Sequence, residues 1–294
     1  MSEVKKNLTL GIFIAFLGAV IGAVVWLLLW VMDFGITALW EWIPEAISTP
    51  FWYPLAVCGI GGVLVGVLQH KWGPCPEELS EVMGEIKKGN RIPYDKLQVI
   101  AICALVPLIF GGSLGPEAGL TGVIAGLCYW LADRFKSTYA EVDELAQMGV
   151  AATLGVIFRA PLFGFANEIE DNAGDRTIPK NSKIVLYFVA ILSGFGAYSL
   201  LSNFLGGGMG LGHFETIVIT QKEWLAMVPL GLLGAFCGIL YFAFGRLTSM
   251  MTAPLQNKKI LLGTIGGLVL GGVGMFLPFT LFAGESQMGI MMER

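Results

Sequence analysis

Apolar residues fill long unbroken runs of this chain, and the charged residues are gathered into the short stretches between them. The runs predict helices at roughly 8–32, 51–69, 97–112, 116–132, 146–158, 160–171, 183–205, 224–245 and 260–278. About 20 apolar residues suffice to cross a bilayer, so Leu8 to Met32 is read as the first spanning helix. It is too long for a signal-peptide core, and no small-residue cleavage site follows it. The runs at 97–112, 116–132, 146–158 and 160–171 are shorter and are broken by Gly or Pro. At about 1.5 Å per residue, a dozen residues cover only about 18 Å. Such pieces pair as half-helices that meet inside the membrane, and their break points become candidates for a buried site.

Composition agrees with this pattern. Hydrophobic residues make up 55% of the 294 and charged ones only 14%, which is far from a soluble domain, and 40 glycines suit close helix packing in lipid. The fold class expected is an all-α integral membrane protein, a multi-helix bundle. The net charge of -4 is spread out, with no basic tract, so nucleic acid is not expected as a partner. Five scattered cysteines lack metal or CxxC spacing and read as small core residues, and His70 and His213 fall in loops on opposite sides, so no metal or other cofactor is expected. No Ser-His-Asp or Cys-His arrangement suggests an enzyme. Lysines and arginines collect at 5–6, 71–96 and 176–183, while 33–50 carries acids alone, so the N-terminus is expected in the cytoplasm and 33–50 outside. Trp40, Trp42 and Trp52 read as an interfacial belt, and GxxxG spacings at Gly18/Gly22, Gly62/Gly66, Gly122/Gly126 and Gly267/Gly271 as packing faces. Residues 76–88 predict an amphipathic helix with acids early and lysines late.

Three stretches carry candidate chemistry. In GGSLGPEAGL, residues 111–120, the glycines permit a sharp turn and Pro116 suits the first helical position. A helix therefore starts inside the membrane, and its bare N–H groups attract an anion. Glu117 stands in that first turn. When ionised it can occupy the anion site itself, and when protonated it has no reason to stay, which couples anion occupancy to proton binding. In VAATLGVIFRAPLFGFANEIED, Arg159, Ala160 and Pro161 separate two helices, and the second ends in Glu168, Glu170 and Asp171. These acids read first as a helix end solvated by cytoplasmic water, since acids at a C-terminus oppose the dipole, and alternatively as a proton acceptor linking the cytoplasm to Glu117. The third stretch is HKWGPCPEEL, residues 70–79.

These stretches resemble the CLC family of chloride channels and chloride/proton exchangers. GGSLGPEAGLTGVIAGL is similar to the family's Gly-x-Glu-Gly-Pro motif and puts Glu117 at the gating glutamate. By the same resemblance Gly115, Pro116, Glu117 and Ala118 form the anion-binding turn. GVAATLGVIFRAPLFGFANEIED resembles the family's Ala/Gly-rich helix, Ala-Pro-Leu-x-Gly and paired acid, so Asp171, and beside it Glu170, takes the proton role. Gly73, Pro74 and Cys75 stand in the place of the family's Gly-Ser-Gly-Ile-Pro-Glu motif, with no serine to touch an anion. Ala118 and Gly119 replace the usual Gly-Pro, and Pro116 replaces a basic residue.

The resemblance implies transport of chloride or a similar small anion, with protons as a second substrate. It also implies a homodimer in the lipid bilayer of a bacterial plasma (inner) membrane, with interface helices among 160–171 and 183–205. Residues 1–205 resemble a first CLC-like repeat and 206–294 the start of a second. The second half's Gly-x-Phe-x-Pro motif has no counterpart here, so a complete pore is not expected from these residues alone. A truncated or non-conducting CLC-like membrane protein is the competing expectation.

Overall fold

The computed structural model describes residues 3–48, 50–73, 82, 84–85, 90–135, 142–158, 160–162, 180–207 and 221–284; at 3–7, 117, 118, 132, 135, 142, 143, 180, 181 and 221–223 it describes the backbone alone. All regular structure among these residues is helical. The order is α1 (Glu3–Thr37), α2 (Ile43–Ile47), α3 (Tyr53–Trp72), α4 (Leu97–Ile109), α5 (Pro116–Phe135), α6 (Val142–Ile157), α7 (Lys180–Leu205), α8 (Gln221–Thr252) and α9 (Lys259–Phe276). Among the described residues, five helical stretches are long and apolar enough to cross a membrane: Leu8–Ile47, Tyr53–Trp72, Ser182–Leu205, Trp224–Leu255 and Lys259–Phe276. As the run lengths predict, α4 and α6 are apolar but short, at 13 and 16 residues.

The first helix departs from expectation. The outer loop expected at 33–50 is helical through Ile47, by way of a π-helical turn at Ala38–Trp42. No proline occurs before Pro44, and Pro44 falls in the first turn of α2, where its missing N–H is no loss. The chain turns only at Ser48, which adopts a left-handed φ of 50°. Of the amphipathic stretch at 76–88, Val82, Gly84 and Glu85 are described, and all three are helical. The second half-helix expected at 160–171 lies outside the described residues beyond Leu162.

Packing in lipid has little hydrophobic drive, because acyl chains are as apolar as leucine; close contact between backbones takes its place. On α1, Leu10, Ile14, Leu17, Ile21, Val25, Leu29 and Met32 are buried at helical spacing, while Leu8, Ile12, Phe16, Leu27 and Trp30 point outward. A Cβ on Gly18 would strike the Ala190 carbonyl of α7, and one on Gly22 the Gly194 carbonyl. The second close pair is α3 with α9, where a Cβ on Gly66 would stand 2.6 Å from Ile260 Cα and one on Gly271 2.7 Å from Leu55 Cα. Gly126 of α5 lies against Leu97. The spacings at Gly18/Gly22, Gly62/Gly66 and Gly267/Gly271 are thus packing faces, as read from the sequence, whereas a Cβ on Gly122 would meet nothing closer than 3.9 Å. Cys58, Cys103 and Cys128 are core residues, but Cys237 is exposed along α8, against the expectation. Gly231, Gly234, Gly238 and Gly245 of α8 meet no neighbour among the described residues.

At the far end of α5, Asp133 ties the helix to the preceding connection. Arg91 Nη1 donates to it at 3.3 Å, and the Tyr94 hydroxyl donates at 3.0 Å. That hydrogen bond, followed by the charge of Asp133, raises the Tyr94 pKa above its ordinary value. The neutral phenol is therefore the favoured partner: its contribution is complete below about pH 10 and is lost as pH rises through the raised value. Asp133→Asn is expected to lower the Tyr94 titration midpoint, followed by ultraviolet absorbance difference against Tyr94→Phe. Gly22→Ala is expected to force α1 from α7 and to destabilise the protein by about 1–3 kcal/mol, measured by unfolding in detergent.

Candidate anion-binding site

Between α4 and α5 the helical backbone bonding is interrupted from Phe110 to Gly115. Helix α4 contains Pro107 and ends at Ile109; Phe110 then turns the chain, and Pro116 opens α5. Gly111, at φ +85°, makes the turn that a side chain would strain, and a Cβ there would also stand 2.9 Å from the Trp40 ring. The turn is closed by Gly112 N–H donating to the Pro107 carbonyl at 2.8 Å and Leu114 N–H to the Gly112 carbonyl at 2.8 Å.

Two distant elements hold this turn. The Trp40 indole N–H donates to the Ile109 carbonyl at 3.0 Å, supplying a partner for one of the last carbonyls of α4. Trp40 is itself placed by Tyr53, whose ring meets it edge-on and whose hydroxyl donates to the Leu39 carbonyl. From the other end of the chain, Phe282 N–H donates to the Gly111 carbonyl at 3.3 Å, and its ring packs edge-on against Trp40 at 5.3 Å. Phe282 holds φ at 62°, an uncommon value for a non-glycine residue.

Behind the turn, α5 passes into the densest part of the bundle. Pro116 is buried, and Leu120, Thr121, Ile124, Ala125, Cys128 and Tyr129 are nearly or wholly inaccessible. A helix has no internal acceptor for its first amides, and Pro116 has no N–H, so the N–H groups of Glu117, Ala118 and Gly119 form the bare end. With the macrodipole added, this end favours negative charge.

Of the residues singled out from the sequence, Gly115 is half-buried just before this end, Pro116 is the first residue of α5, and Glu117 and Ala118 lie in its first turn by backbone; the Glu117 and Ala118 side chains lie outside the described residues. Gly73 caps α3 at φ +95°, its N–H donating to the Gln69 carbonyl at 3.1 Å. Pro74, Cys75, Glu170 and Asp171 lie outside the described residues. Among the described residues no cluster of three or more His, Cys, Asp or Glu could hold a metal. Sequence reading missed Trp40 and Phe282 as supports of the turn. The signal for Trp40 was an acid-bearing but otherwise apolar stretch, without breakers, that continues the first helix. Phe282 left no signal, because only the tertiary fold brings it to Gly111. Gly111→Ala is expected to unseat the turn, and Trp40→Phe to cost about 1 kcal/mol by leaving the Ile109 carbonyl without its donor. Both are read by unfolding midpoints, with Gly115→Ala as the comparison.

Comparison with known proteins follows the same architecture. A slow cyanobacterial Cl-/H+ antiporter, solved by X-ray crystallography, superposes with a TM-score of 0.65 at 18% identity, covering 93% of this chain and 66% of that one. At that identity the likeness speaks for the fold. Chloride channel protein CLC-e of Arabidopsis thaliana is 25% identical over 272 residues, 86% of this chain and 36% of its own length. Voltage-gated ClC-type chloride channel ClcB of Escherichia coli is 22% identical over 241 residues, 77% of this chain and 54% of its own length. This chain thus spans between about a third and two thirds of the proteins it matches. The family model for the voltage gated chloride channel matches residues 61–294, and with its membrane-length helices the chain is an integral membrane protein that belongs to this, the CLC, family.

Proposed function

We propose that this chain takes part in the transport of chloride or a similar small anion, and that the start of α5 is the anion site. The observation that carries this reading is the α4–α5 break: a helix beginning inside the bundle, with the amides of Glu117, Ala118 and Gly119 free of intrahelical partners and an acid in the same turn. Gly115 supplies the approach and Pro116 the fixed start. Glu117 is the gate. Its carboxylate competes with the anion for the same amides, and protonation removes the competitor, so occupancy depends on pH. That the relatives are chloride channels supports the transport reading, and the GPEAG stretch at the start of α5 supports the choice of site.

Proton coupling is the finer part of the reading. Asp171, with Glu170 beside it, is assigned as the internal proton group on the motif that follows Pro161. Gly73, Pro74 and Cys75 are assigned as the equivalent of the family's first anion motif, acting through backbone rather than a serine hydroxyl. Residues 1–205 are taken as the first repeat and 206–294 as the opening of the second, with the N-terminus in the cytoplasm, a homodimer as the assembly and a bacterial inner membrane as the location. The positive-inside distribution of Lys and Arg supports the orientation.

The test is chloride efflux from proteoliposomes with proton movement followed beside it. Glu117→Ala is expected to make chloride flux insensitive to pH and to abolish proton movement. Asp171→Asn is expected to keep chloride flux and lose the protons. Flux and pH dependence unchanged in Glu117→Ala would overturn the gate, and the absence of any anion flux in the unaltered protein would overturn the transport reading.

A further inference from the structure

A buried ion pair lies away from the α4–α5 break. Glu144 is the third residue of α6 and Lys183 the fourth of α7. Their side chains are 1% and 6% exposed, with Lys183 Nζ 3.7 Å from Glu144 Oε1. One turn further along both helices, the Tyr187 hydroxyl donates to Gln147 Oε1 at 3.4 Å, so α6 and α7 run in the same direction and the ion pair sits where both begin. Glu144 is well placed at the positive end of a helix dipole. Lys183 is not: it is buried and lies at the positive ends of two helices at once. Desolvating such a pair offsets most of its attraction, so stability alone gives little reason to keep it, and an ionisable group inside a membrane bundle points to function.

The surroundings concentrate this charge. From α1, Leu10 and Ile14 pack around the same helix ends with Leu145, Met148 and Leu186. The charged residues near these helix ends on adjoining elements are Glu3, Lys5 and Lys6 of α1, Asp143 of α6 and Lys180 of α7, each described by backbone alone, and Asp133 and Arg134 at the end of α5; Asp33 and Glu117 lie at the other ends of α1 and α5. Asp133 is engaged by Arg91 and Tyr94, and Arg134 is exposed. The stretch joining α6 to α7 carries Glu168, Glu170 and Asp171.

We propose that Glu144 and Lys183 form a second proton-handling site, where α6 and α7 begin, with Glu144 the acceptor and Lys183 its counter-charge. This rests on the proton-coupled reading above and extends it. A hydronium ion in cytoplasmic water gives its proton to the Glu144 carboxylate: one O–H bond forms, one breaks, and water is left. The pair passes from neutral to a single positive charge, which Lys183 carries in a buried site. That excess favours release of the proton to a second acceptor, and Glu144 returns to its ionised, paired state.

The test uses the full chain in lipid. Glu144→Gln leaves Lys183 buried without its counter-charge and risks misfolding, so the double variant Glu144→Gln/Lys183→Met, neutral and similar in volume, is made beside it. Infrared difference spectra on acidification are expected to show a carboxylic-acid C=O band in the unaltered protein and in Glu117→Ala, reduced by one carboxyl group in the double variant. In proteoliposomes the double variant is expected to keep anion flux and to move protons about 100-fold more slowly. An acid band identical in the double variant and the unaltered protein would overturn the site, as would full proton movement. If the unaltered protein moves no anion, the transport reading falls, and the infrared comparison still decides whether Glu144 takes the proton.

Discussion

Lipid offers a peptide group no hydrogen-bond partner, so a helix that begins inside a membrane bundle must have its first amides met by something other than solvent. The start of α5 is such a place, and much of the molecule can be understood as holding it there. The turn from Ile109 to Pro116 bonds to itself through Gly112 and Leu114, to the first helix through Trp40, and to the far end of the chain through Phe282. α5 then runs through the most buried part of the bundle, so its bare end cannot relax without disturbing Leu120, Ile124 and Tyr129. A fixed, partly positive end is what an anion site requires, and Glu117 belongs to its first turn.

The glycines make that rigidity available. In water, burial of leucine would hold two helices together; in lipid, backbones must approach until carbonyls and Cα atoms touch. The α1–α7 contact at Gly18, Gly22 and Gly194 and the α3–α9 contact at Gly62, Gly66, Gly263 and Gly267 have that character. The first fixes the helix that ends in Trp40. The second places α9, and with it Phe282, against the turn it braces. The same close packing of α7 brings Lys183 to Glu144.

The helices were legible in the sequence because runs of apolar residues and the lengths that separate spanning from half-spanning helices are local properties. The short α4 and α6, the break at Gly111 to Gly115 and the start at Pro116 all fall where the residues put them. The end of the first helix was misread because acids at 33–50 suggested a loop, whereas the absence of any breaker before Pro44 let the helix continue through a π-turn. The supports of the site were illegible for a different reason. Trp40 and Phe282 lie 69 residues before Ile109 and 171 after Gly111, and nothing near either residue announces the other. Lys183 read as one more cytoplasmic cation, since charge counting does not show that a side chain is buried at two helix starts.

The central claim is that the first-turn amides of α5 hold an anion in competition with Glu117. Chloride binding to the purified protein, measured by isothermal titration calorimetry, tests it most directly. The account predicts that Glu117→Ala binds chloride more tightly than the unaltered protein at neutral pH and that the difference disappears on acidification; equal affinity at neutral pH would contradict it.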